Sequence, residues 1–563
     1  MVIFLAAVLT FAGTLGFDYT WDDPPLVTRV QEALSGGKVS QLFTTSFFVQ
    51  TVQSARYFRP VMMGSLLGDV VLTGGSPWFS HLVNVLIHGI NAVLVFFLFN
   101  LILGSRPGAL AGALLFAVHP VHAEAVSAVS SRMDLMALMF ILPAAILWVS
   151  PAEDRQERVL LSWMAAALSF LLACFTKETA FMLPAALVGW EALRWRRPNR
   201  QQVVGAVFLA ASAGGALLAR AAVFAREADN GVRTVKAGAL WPDANFWTSL
   251  KILLVNMRLA VYPFPIRSHW AGSDLVLGGT TFLGAALFIA AVGAAFRKRR
   301  HIAAMGITWW AVFTFPVLGF FNLGQVVAAE RYAYIPSAGI CLIAGILAAG
   351  LAEKQRKRMA VKKLLTAGVF LLASWTVFHT LPWTDEVRIY RHVLGSNPAY
   401  ATPYLNLGVV LAREGQYEEA MEAYNSALEL VPGWDKALFN RGNLSSRMGR
   451  SAEALADFEK LLDLKPDDWE AALNMGNVLA ALGRTGEAVS SYERAAVSGP
   501  SSGMPLVALA LISAGKGDHG EAARLFGEAA AREPDLSVAY EGLGESYMAM
   551  GKPDLAQGAL LKA

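Results

Sequence analysis

The sequence predicts an all-α protein in which a polytopic bundle of transmembrane helices is followed by a C-terminal α-solenoid. Of its 563 residues, 55% are hydrophobic and only 16% are charged, which is far from the composition of an average soluble protein. The apolar residues gather in runs long enough to cross a hydrocarbon core of roughly 30 Å as helices. Near the C-terminus, proline, glycine and alanine recur at a fixed spacing, which is typical of a helical-repeat array.

Eleven apolar runs qualify as membrane spans. They lie at about 1–16, 80–103, 108–126, 133–150, 159–175, 179–193, 203–224, 279–296, 302–321, 333–351 and 364–382. The first is interpreted as an uncleaved span, because no small-residue cleavage site precedes the acidic stretch after it. A further piece, 246–265, contains Lys251 and Arg258 and ends in Tyr262-Pro263-Phe264-Pro265. It is predicted to be a re-entrant or interfacial helix.

Loop charge predicts which side each segment occupies, because short loops rich in Lys and Arg stay in the cytoplasm. Four loops qualify, around Arg155/Arg158, Arg194–Arg200, Arg297–Arg300 and Lys354–Lys363. They share one side only if 246–265 does not cross the membrane. The segments expected outside the cytoplasm are then 17–79, 119–132, 176–178, 225–278, 322–332 and everything after 383, including the repeats.

The net charge of +4 reflects these clustered loops, so a nucleic-acid partner is not expected. The two cysteines, Cys174 and Cys341, lie inside apolar segments. They support neither a disulfide framework nor a metal cluster. The Ala/Gly-rich composition favours a prokaryotic inner or plasma membrane as the location.

Three residue types recur with a period of 34 in the C-terminal third. They are Pro398, Pro432, Pro466, Pro500 and Pro534; Gly415, Gly449, Gly483, Gly517 and Gly551; and Ala420, Ala454, Ala488, Ala522 and Ala556. This is the tetratricopeptide (TPR) signature, in which small residues let paired helices approach. About five repeats are predicted, with a concave groove for a polypeptide acceptor or a partner protein. A pure oligomerisation or spacing device is the alternative.

The expected domains are therefore a membrane-embedded domain at 1–383, whose first external loop is 17–79, a linker at 384–397 and a TPR domain at 398–563.

Two adjacent carboxylates, Asp22 and Asp23, follow the first span. A carboxylate at the membrane surface can act as a general base on a hydroxyl group or hold a divalent metal near a phosphate. A helix-capping acidic turn is an equally good interpretation of this pair.

Further polar residues lie at the outer ends of other spans, where ionisable groups are costly and usually face a cavity or each other. The supporting cluster comprises His119, His122, Glu124, Arg132, Asp134, Glu178, Glu330, Tyr332 and Tyr334. The spacing of His122 and Glu124 does not fit a helical zinc pair. Pairing of Arg132 with Glu124 or Asp134 is as plausible as a catalytic role, and the two tyrosines also fit an interfacial belt.

Three cations are candidates for binding a phosphate: Arg331 by its planar fork, with Lys177 or Arg59. Snorkelling is the alternative for Lys177. A polar stripe of His81, Asn84, His88 and Asn91 along one span is attributed to hydrogen bonding within the bundle. The predicted topology brings the polar clusters to one side of the membrane, as an active site at the outer surface requires.

The chain resembles the transmembrane and tetratricopeptide-repeat O-mannosyltransferases, as a prokaryotic relative. The strings that carry the resemblance are Trp21-Asp22-Asp23, Phe58-Arg59-Pro60, His81 through His88, Phe116 through Val126, Arg132 through Leu135, Lys177-Glu178 and Glu330 through Ser337, followed by the repeats. The segment at Tyr262-Pro263 fits the family pattern only loosely.

The resemblance implies an integral-membrane glycosyltransferase of the GT-C type. Its donor would be a monosaccharide, mannose or a similar hexose, on a polyprenyl or dolichyl phosphate, and its acceptor a protein Ser/Thr hydroxyl outside the cytoplasm. Asp22 or Asp23 would be the base, with Asp23 slightly preferred. The need for a divalent cation is left open, and no dedicated metal cage is evident. Two alternatives are a transferase acting on a glycan or lipid acceptor and a non-enzymatic scaffold for envelope assembly or export.

Overall fold

The computed structural model describes residues 1–46, 57–150, 156–194, 198–229, 246–261, 269–270, 279–318, 328–352 and 358–563. The chain divides into two compact units, Met1–Ser396 and Asn397–Ala563. The basic residues Arg155, Arg196, Arg197, Lys354, Arg356 and Lys357 and the segment Tyr262–Pro265 lie outside the described residues. The sidedness that loop charge assigns stays a prediction.

The first unit is built from sixteen described α-helices. They are α1 Val2–Phe11, α2 Asp23–Ser35, α3 Gln41–Thr44, α4 Pro60–Thr73, α5 Pro77–Leu103, α6 Arg106–Ala117, α7 Ala123–Ser127, α8 Arg132–Val149, α9 Gln156–Cys174, α10 Leu183–Arg194, α11 Arg200–Asp229, α12 Phe246–Val261, α13 Gly279–Thr314, α14 Tyr334–Ala352, α15 Arg358–Thr380 and α16 Glu386–Ser396. Short 3-10 turns link several of them, including Pro120–His122, Val129–Ser131, Glu178–Met182 and Glu330–Ala333. Two-residue strands, β1 His269–Trp270 and β2 Ala328–Ala329, pair antiparallel.

Within the described residues, seven helical segments are long and apolar enough to cross a membrane. They are Pro77–Leu103, Val129–Val149, Glu157–Cys174, Arg200–Glu227, Gly279–Val317, Glu330–Leu351 and Lys362–Thr384. An eighth is formed if α6 and the helical segment Pro120–Ser127, which are bent by 46°, count as one span. The prediction of a polytopic helical membrane protein is confirmed.

Fewer helical segments meet these length and composition criteria than the eleven predicted spans. The reasons lie in the backbone of individual runs. The run at 108–126 breaks after Ala117, because Pro120 cannot continue the hydrogen bonding of a helix. The runs at 279–296 and 302–321 both fall in α13, which consists of two helices that meet at a kink at Arg299 (φ −145°, ψ 71°), so these two predicted runs remain separate helices. The runs at 1–16 and 179–193 form short α-helices, of 10 and 12 residues.

Helix α14 lies in the centre of the bundle, packed on α6 and α13 through glycines. A Cβ added at Gly306 would lie 2.7 Å from the carbonyl oxygen of Gly339, and one added at Gly108 would lie 2.8 Å from that of Gly345. Close backbone approach through small residues is how membrane helices associate when water does not drive them together. Because α14 begins at Tyr334, this packing fixes the turn that carries Glu330 and Arg331.

Helix α12 forms most of the segment 246–265 that is predicted to be a re-entrant or interfacial helix, and its position relative to the membrane stays a prediction. It has 16 residues and is not among the segments long and apolar enough to span. Its buried face, with Ile252, Val255 and Leu259, packs against Val121 and Ala333. Helix α12 therefore supports the 3-10 turns Pro120–His122 and Glu330–Ala333, which carry part of the polar cluster.

The second unit consists of five helix pairs. They are α17 Ala401–Arg413 with α18 Tyr417–Leu430, α19 Asp435–Arg447 with α20 Ser451–Leu464, α21 Trp469–Ala481 with α22 Thr485–Ser498, α23 Met504–Gly515 with α24 His519–Arg532, and α25 Ser537–Ala549 with α26 Pro553–Leu560. The glycine between the helices of each pair has a positive φ, such as +80° at Gly415, which an L side chain rarely adopts. A Cβ at Gly442 would lie 2.9 Å from the Phe458 ring, so the small residue permits the pairing.

The segment 384–397, predicted as a linker, is mostly helical. Helix α16 groups with the first unit and buries Ile389, Tyr390, Val393 and Leu394. The boundary between the units falls after Ser396, so the first unit is longer than the predicted 1–383.

Candidate active site

Asp23 anchors the acidic loop to the membrane bundle. It is the first residue of α2 and is fully buried. Its Oδ1 accepts a hydrogen bond from the backbone N–H of Ser130 (2.6 Å), and its Oδ2 accepts from those of Val129 (3.0 Å) and Thr20 (3.3 Å). Burial raises the pKa of Asp23 to about 6, while these hydrogen bonds oppose that shift. Asp23 therefore docks its loop on the 3-10 turn Val129–Ser131.

Asp22 has a different environment. Its side chain is partly exposed, and it forms no hydrogen bond or ion pair with any residue in the described part of the chain. Burial raises its pKa, and the positive charge of Arg331 opposes this. A carboxylate whose oxygens bond to no described residue can accept a proton from a substrate hydroxyl, and a raised pKa makes it a stronger base than an ordinary aspartate. The geometry thus favours Asp22 over Asp23, the reverse of the slight preference from sequence.

Arg331 is held by Glu124. Its Nη1 donates to Glu124 Oε1 at 2.5 Å, and its backbone N–H donates to Glu124 Oε2 at 3.1 Å. Glu124 is fully buried, whereas 14% of the Arg331 side chain is exposed. Glu124 therefore holds the Arg331 side chain in place through Nη1. The Nε and Nη2 atoms of Arg331 bond to no described residue.

Lys177 lies beside Arg331. Its ammonium group is paired with Asp134, and burial lowers its pKa against the effect of that carboxylate. The Lys177 Nζ lies 5.4 Å and the Arg331 Cζ 5.3 Å from the centroid of the Tyr332 ring. Lys177, Asp134 and Tyr332 also line a small cavity of about 10 Å³, enough for about one water molecule. Two of the three predicted phosphate-binding cations therefore share one aromatic ring.

Arg59, the third predicted cation, is bound to Glu178. Its Nε and Nη2 donate to Glu178 Oε2 at 3.2 and 2.7 Å, and Arg220 donates to Oε1 at 2.9 Å. Burial disfavours ionisation of Glu178, but the two guanidinium groups outweigh it and lower its pKa to about 2. The Arg59 guanidinium also stacks 4.1 Å from the centroid of the Tyr57 ring. More of the side-chain N–H groups of Arg59 than of Arg331 are therefore used in contacts within the protein.

Arg132 does not pair with Glu124 or Asp134, so that sequence interpretation is wrong. It is fully buried and forms an ion pair with Asp69 at 2.7 Å. Its other hydrogen bonds go to Asn84 Oδ1, Ser65 Oγ and the carbonyl of Ser80. Glu124 and Asp134 are already occupied by Arg331 and Lys177. Arg132 therefore joins α4, α5 and α8, and its full burial keeps it away from a substrate.

The polar stripe on α5 is used for packing, as predicted. His88 Nε2 lies 3.0 Å from the Ala117 carbonyl, so the proton is assigned to Nε2 and Nδ1 accepts from the Tyr334 hydroxyl at 2.9 Å. Asn91 donates to that hydroxyl at 3.1 Å. Asn84 donates to two carbonyl groups near α7. Tyr334 is a buried core residue and does not belong to an interfacial belt.

The two histidines of the cluster are structural as well. His119 Nδ1 accepts from the backbone N–H of Val121 at 3.2 Å, and His122 Nε2 lies 2.9 Å from the Ser337 hydroxyl. Glu330 is buried, and it lies close enough to Glu124 and Arg258 for their charges to act on it. Among the described residues, no group of three or more His, Cys, Asp or Glu side chains is arranged to hold a metal ion.

Comparisons with known proteins agree with this architecture. Tetratricopeptide-repeat profiles match residues 401–433 and 439–503. Protein O-mannosyl-transferase F38B6.6 of Caenorhabditis elegans is 26% identical over 463 residues, covering 77% of this chain and 62% of its own. Protein O-mannosyl-transferase TMTC4 of Mus musculus is 24% identical over 492 residues, covering 75% and 65%.

The chain is related to the transmembrane and TPR-containing O-mannosyltransferases. The predicted family resemblance is confirmed. The chain spans about three-fifths of the length of these curated relatives, 62% and 65%. Among solved structures, the crystal structure of MamA protein is similar, with 22% identity, a TM-score of 0.27, and coverage of 29% of this chain and 88% of that one.

In this relative of the O-mannosyltransferases, sequence reasoning missed several residues that shape the site. Asp69 and Arg220 are charged residues inside apolar helices, a signal that could have identified them. Trp21 and Tyr390 carried no such signal, because their importance comes from a contact across 369 positions of the sequence.

Proposed function

We propose that this chain transfers a hexose, with mannose the first candidate, from a polyprenyl- or dolichyl-phosphate carrier to a Ser/Thr hydroxyl of a protein. One observation supports this above the others. The Asp22 carboxylate bonds to no residue of the described ranges and lies within range of the charge of Arg331, whose own side chain is held in place by Glu124. A base beside a fixed cation suits attack by a hydroxyl group on a donor with a phosphate leaving group.

The proposed reaction is a single displacement with inversion at the sugar. The Asp22 carboxylate accepts the proton of the acceptor hydroxyl as its oxygen bonds to the anomeric carbon. The bond between that carbon and the phosphate oxygen breaks, and its electron pair leaves with the lipid phosphate. Asp23, held by the 129–131 turn, keeps the loop in place and does not act as the base.

The departing phosphate is assigned to Arg331 and Lys177. Both cations lie over Tyr332, and each is balanced by one buried carboxylate. Fixed charges of this kind stabilise the negative charge that develops in the transition state, usually the largest catalytic effect. Arg59 is bound to Glu178, and its charge adds to the positive potential at Lys177. A divalent cation can add to this charge, but no step of the proposal depends on one.

The TPR unit is proposed to recruit the polypeptide acceptor, and loop charge favours the non-cytoplasmic side for both the repeats and the reaction. A prokaryotic inner or plasma membrane is the proposed location. Digestion of sealed vesicles with a protease tests the sidedness: the repeats should be cleaved only from the non-cytoplasmic face.

The activity is tested with the purified full-length chain, a panel of polyprenyl-phosphate sugars labelled in the sugar, and Ser/Thr-containing acceptor polypeptides. The expected result is label on a Ser or Thr hydroxyl with inversion of the anomeric centre. Label on a glycan or lipid would overturn the protein acceptor. No transfer from any donor would overturn the enzymatic assignment and favour a scaffold.

A further inference from the structure

Trp21, directly before Asp22, has an unusual backbone conformation. Its φ is +58°, and it is the one non-glycine residue of the described ranges with a positive φ. A bulky L residue rarely adopts this region, and it does so only where the surrounding structure enforces it. The peptide that leads into Asp22 therefore depends on contacts made by neighbouring residues.

One of these contacts comes from α16. The Trp21 ring packs on the Tyr390 ring with centroids 5.1 Å apart and an angle of 40° between the planes. Tyr390 is 3% exposed and lies on the buried face of α16 with Ile389 and Val393. Its ring is therefore a rigid surface for the Trp21 side chain.

A second contact holds the same loop to the same part of the chain. The backbone N–H of Asp18 donates to the carbonyl of Thr384 at 3.0 Å. Thr384 ends the turn before α16. Segment 18–21 is thus attached to segment 384–390 by a backbone hydrogen bond at one end and by ring packing at the other.

We propose that Tyr390 is a positioning residue for Asp22, an inference that rests on the proposed function of Asp22 as the base. Tyr390 holds Trp21 in its strained conformation, and this directs the Asp22 carboxylate toward the acceptor hydroxyl. Small losses of alignment between a base and its substrate slow the chemical step strongly. Helix α16, which runs in sequence directly into the repeats, is then part of the active-site support.

Replacement of the ring tests this proposal. In Tyr390→Leu, which keeps apolar volume on the buried face of α16, kcat should fall about tenfold, since a small misalignment costs that much or more. KM for the lipid-linked donor should be unchanged, because Tyr390 acts on the base and does not act on the phosphate cations. Tyr390→Phe, which keeps the ring, should recover most of the rate. Arg388→Ala, on the exposed side of α16, is the control.

A second variant separates positioning from general destabilisation. Glycine adopts a positive φ without strain. Adding Trp21→Gly to Tyr390→Leu should therefore raise kcat above that of Tyr390→Leu alone. If Tyr390 were merely structural, losing a second aromatic ring would lower the rate further, and that result would overturn the proposal.

Hydrogen–deuterium exchange gives a readout that does not require activity. The Asp18 amide and its neighbours should exchange at least several-fold faster in Tyr390→Leu than in the wild type or Arg388→Ala. Unchanged exchange would overturn the role of Tyr390. Faster exchange in a chain whose wild type transfers no sugar would support Tyr390 as the loop support and overturn the proposed function instead.

Discussion

Asp23 Oδ1 accepts a hydrogen bond from the backbone N–H of Ser130 at 2.6 Å, which joins the acidic loop to the turn before α8. The same carboxylate also binds the N–H of Val129. Asparagine at this position would present an NH₂ group to at least one of these donors. Because a buried donor without a partner costs about 1–3 kcal/mol, we expect Asp23→Asn to lower the free energy of unfolding by that amount. Thermal denaturation in detergent measures it.

Asp22→Asn is the matched control for that change. Asp22 bonds to no other residue in the described ranges, so its substitution should leave the melting temperature close to that of the wild type. Equal destabilisation by both substitutions would contradict the division of roles between the two carboxylates.

The pH dependence of transfer should report the ionisation of Asp22. Burial raises its pKa above the ordinary value of about 3.9, and a base must be ionised, so the rate should fall as pH falls through that raised pKa. The charge of Arg331 opposes the rise. Arg331→Gln should therefore move the acid limb of the kcat/KM profile to higher pH, while Arg331→Lys should move it less. Identical acid limbs in all three proteins would show that Asp22 is not the titrating base.

The buried ion pair between Arg132 and Asp69 should contribute to stability in a way that depends on both partners. Arg132→Met leaves the Asp69 carboxylate buried and unpaired, which typically costs about 3–5 kcal/mol. Adding Asp69→Leu removes that charge and should recover much of the loss. Chemical unfolding of the three variants checks this, and additive losses in the double variant would contradict it.

Glu178 should make the protein sensitive to acid. Its pKa is lowered to about 2 in the folded chain, so its contribution is fully present above the ordinary value of 4.5 and is lost as pH falls from about 4.5 toward 2. Because 27% of its side chain is exposed, we expect about 1–2 kcal/mol, less than the shift alone would give. Glu178→Gln should lose this component of the pH dependence, while Glu32→Gln, at an exposed site, should keep it. A wild-type-like acid response in Glu178→Gln would contradict the assignment.

Much of the fold could be predicted from the sequence, because it follows from local patterns. The 34-residue period locates each repeat, and the helix pairs lie where Gly442 and Phe458 predict close packing. The number of spans is harder to predict than their helical character. The boundary between the two helices of α13, for example, depends on the backbone angles of Arg299, which the sequence does not specify.

The site could be predicted as a set of residues but not as a set of pairs. Arg331, Lys177 and Arg59 were identified as candidate phosphate-binding cations. The partner of Arg132 was not identified, because Asp69 lies on a different helix, far away in sequence. Asp22 and Asp23 are equivalent by composition. The 129–131 turn, more than 100 positions away, distinguishes them, because it binds and buries Asp23 and leaves Asp22 partly exposed.

The most direct test of this account measures sugar transfer by Asp22→Asn and Asp23→Asn side by side with the wild type, in purified full-length protein with a polyprenyl-phosphate hexose donor. Loss of a general base typically lowers the rate by about 10²–10⁴-fold. The account predicts a loss of this size in kcat for Asp22→Asn with the fold intact, and a smaller loss with reduced stability for Asp23→Asn. Wild-type transfer by Asp22→Asn would contradict it.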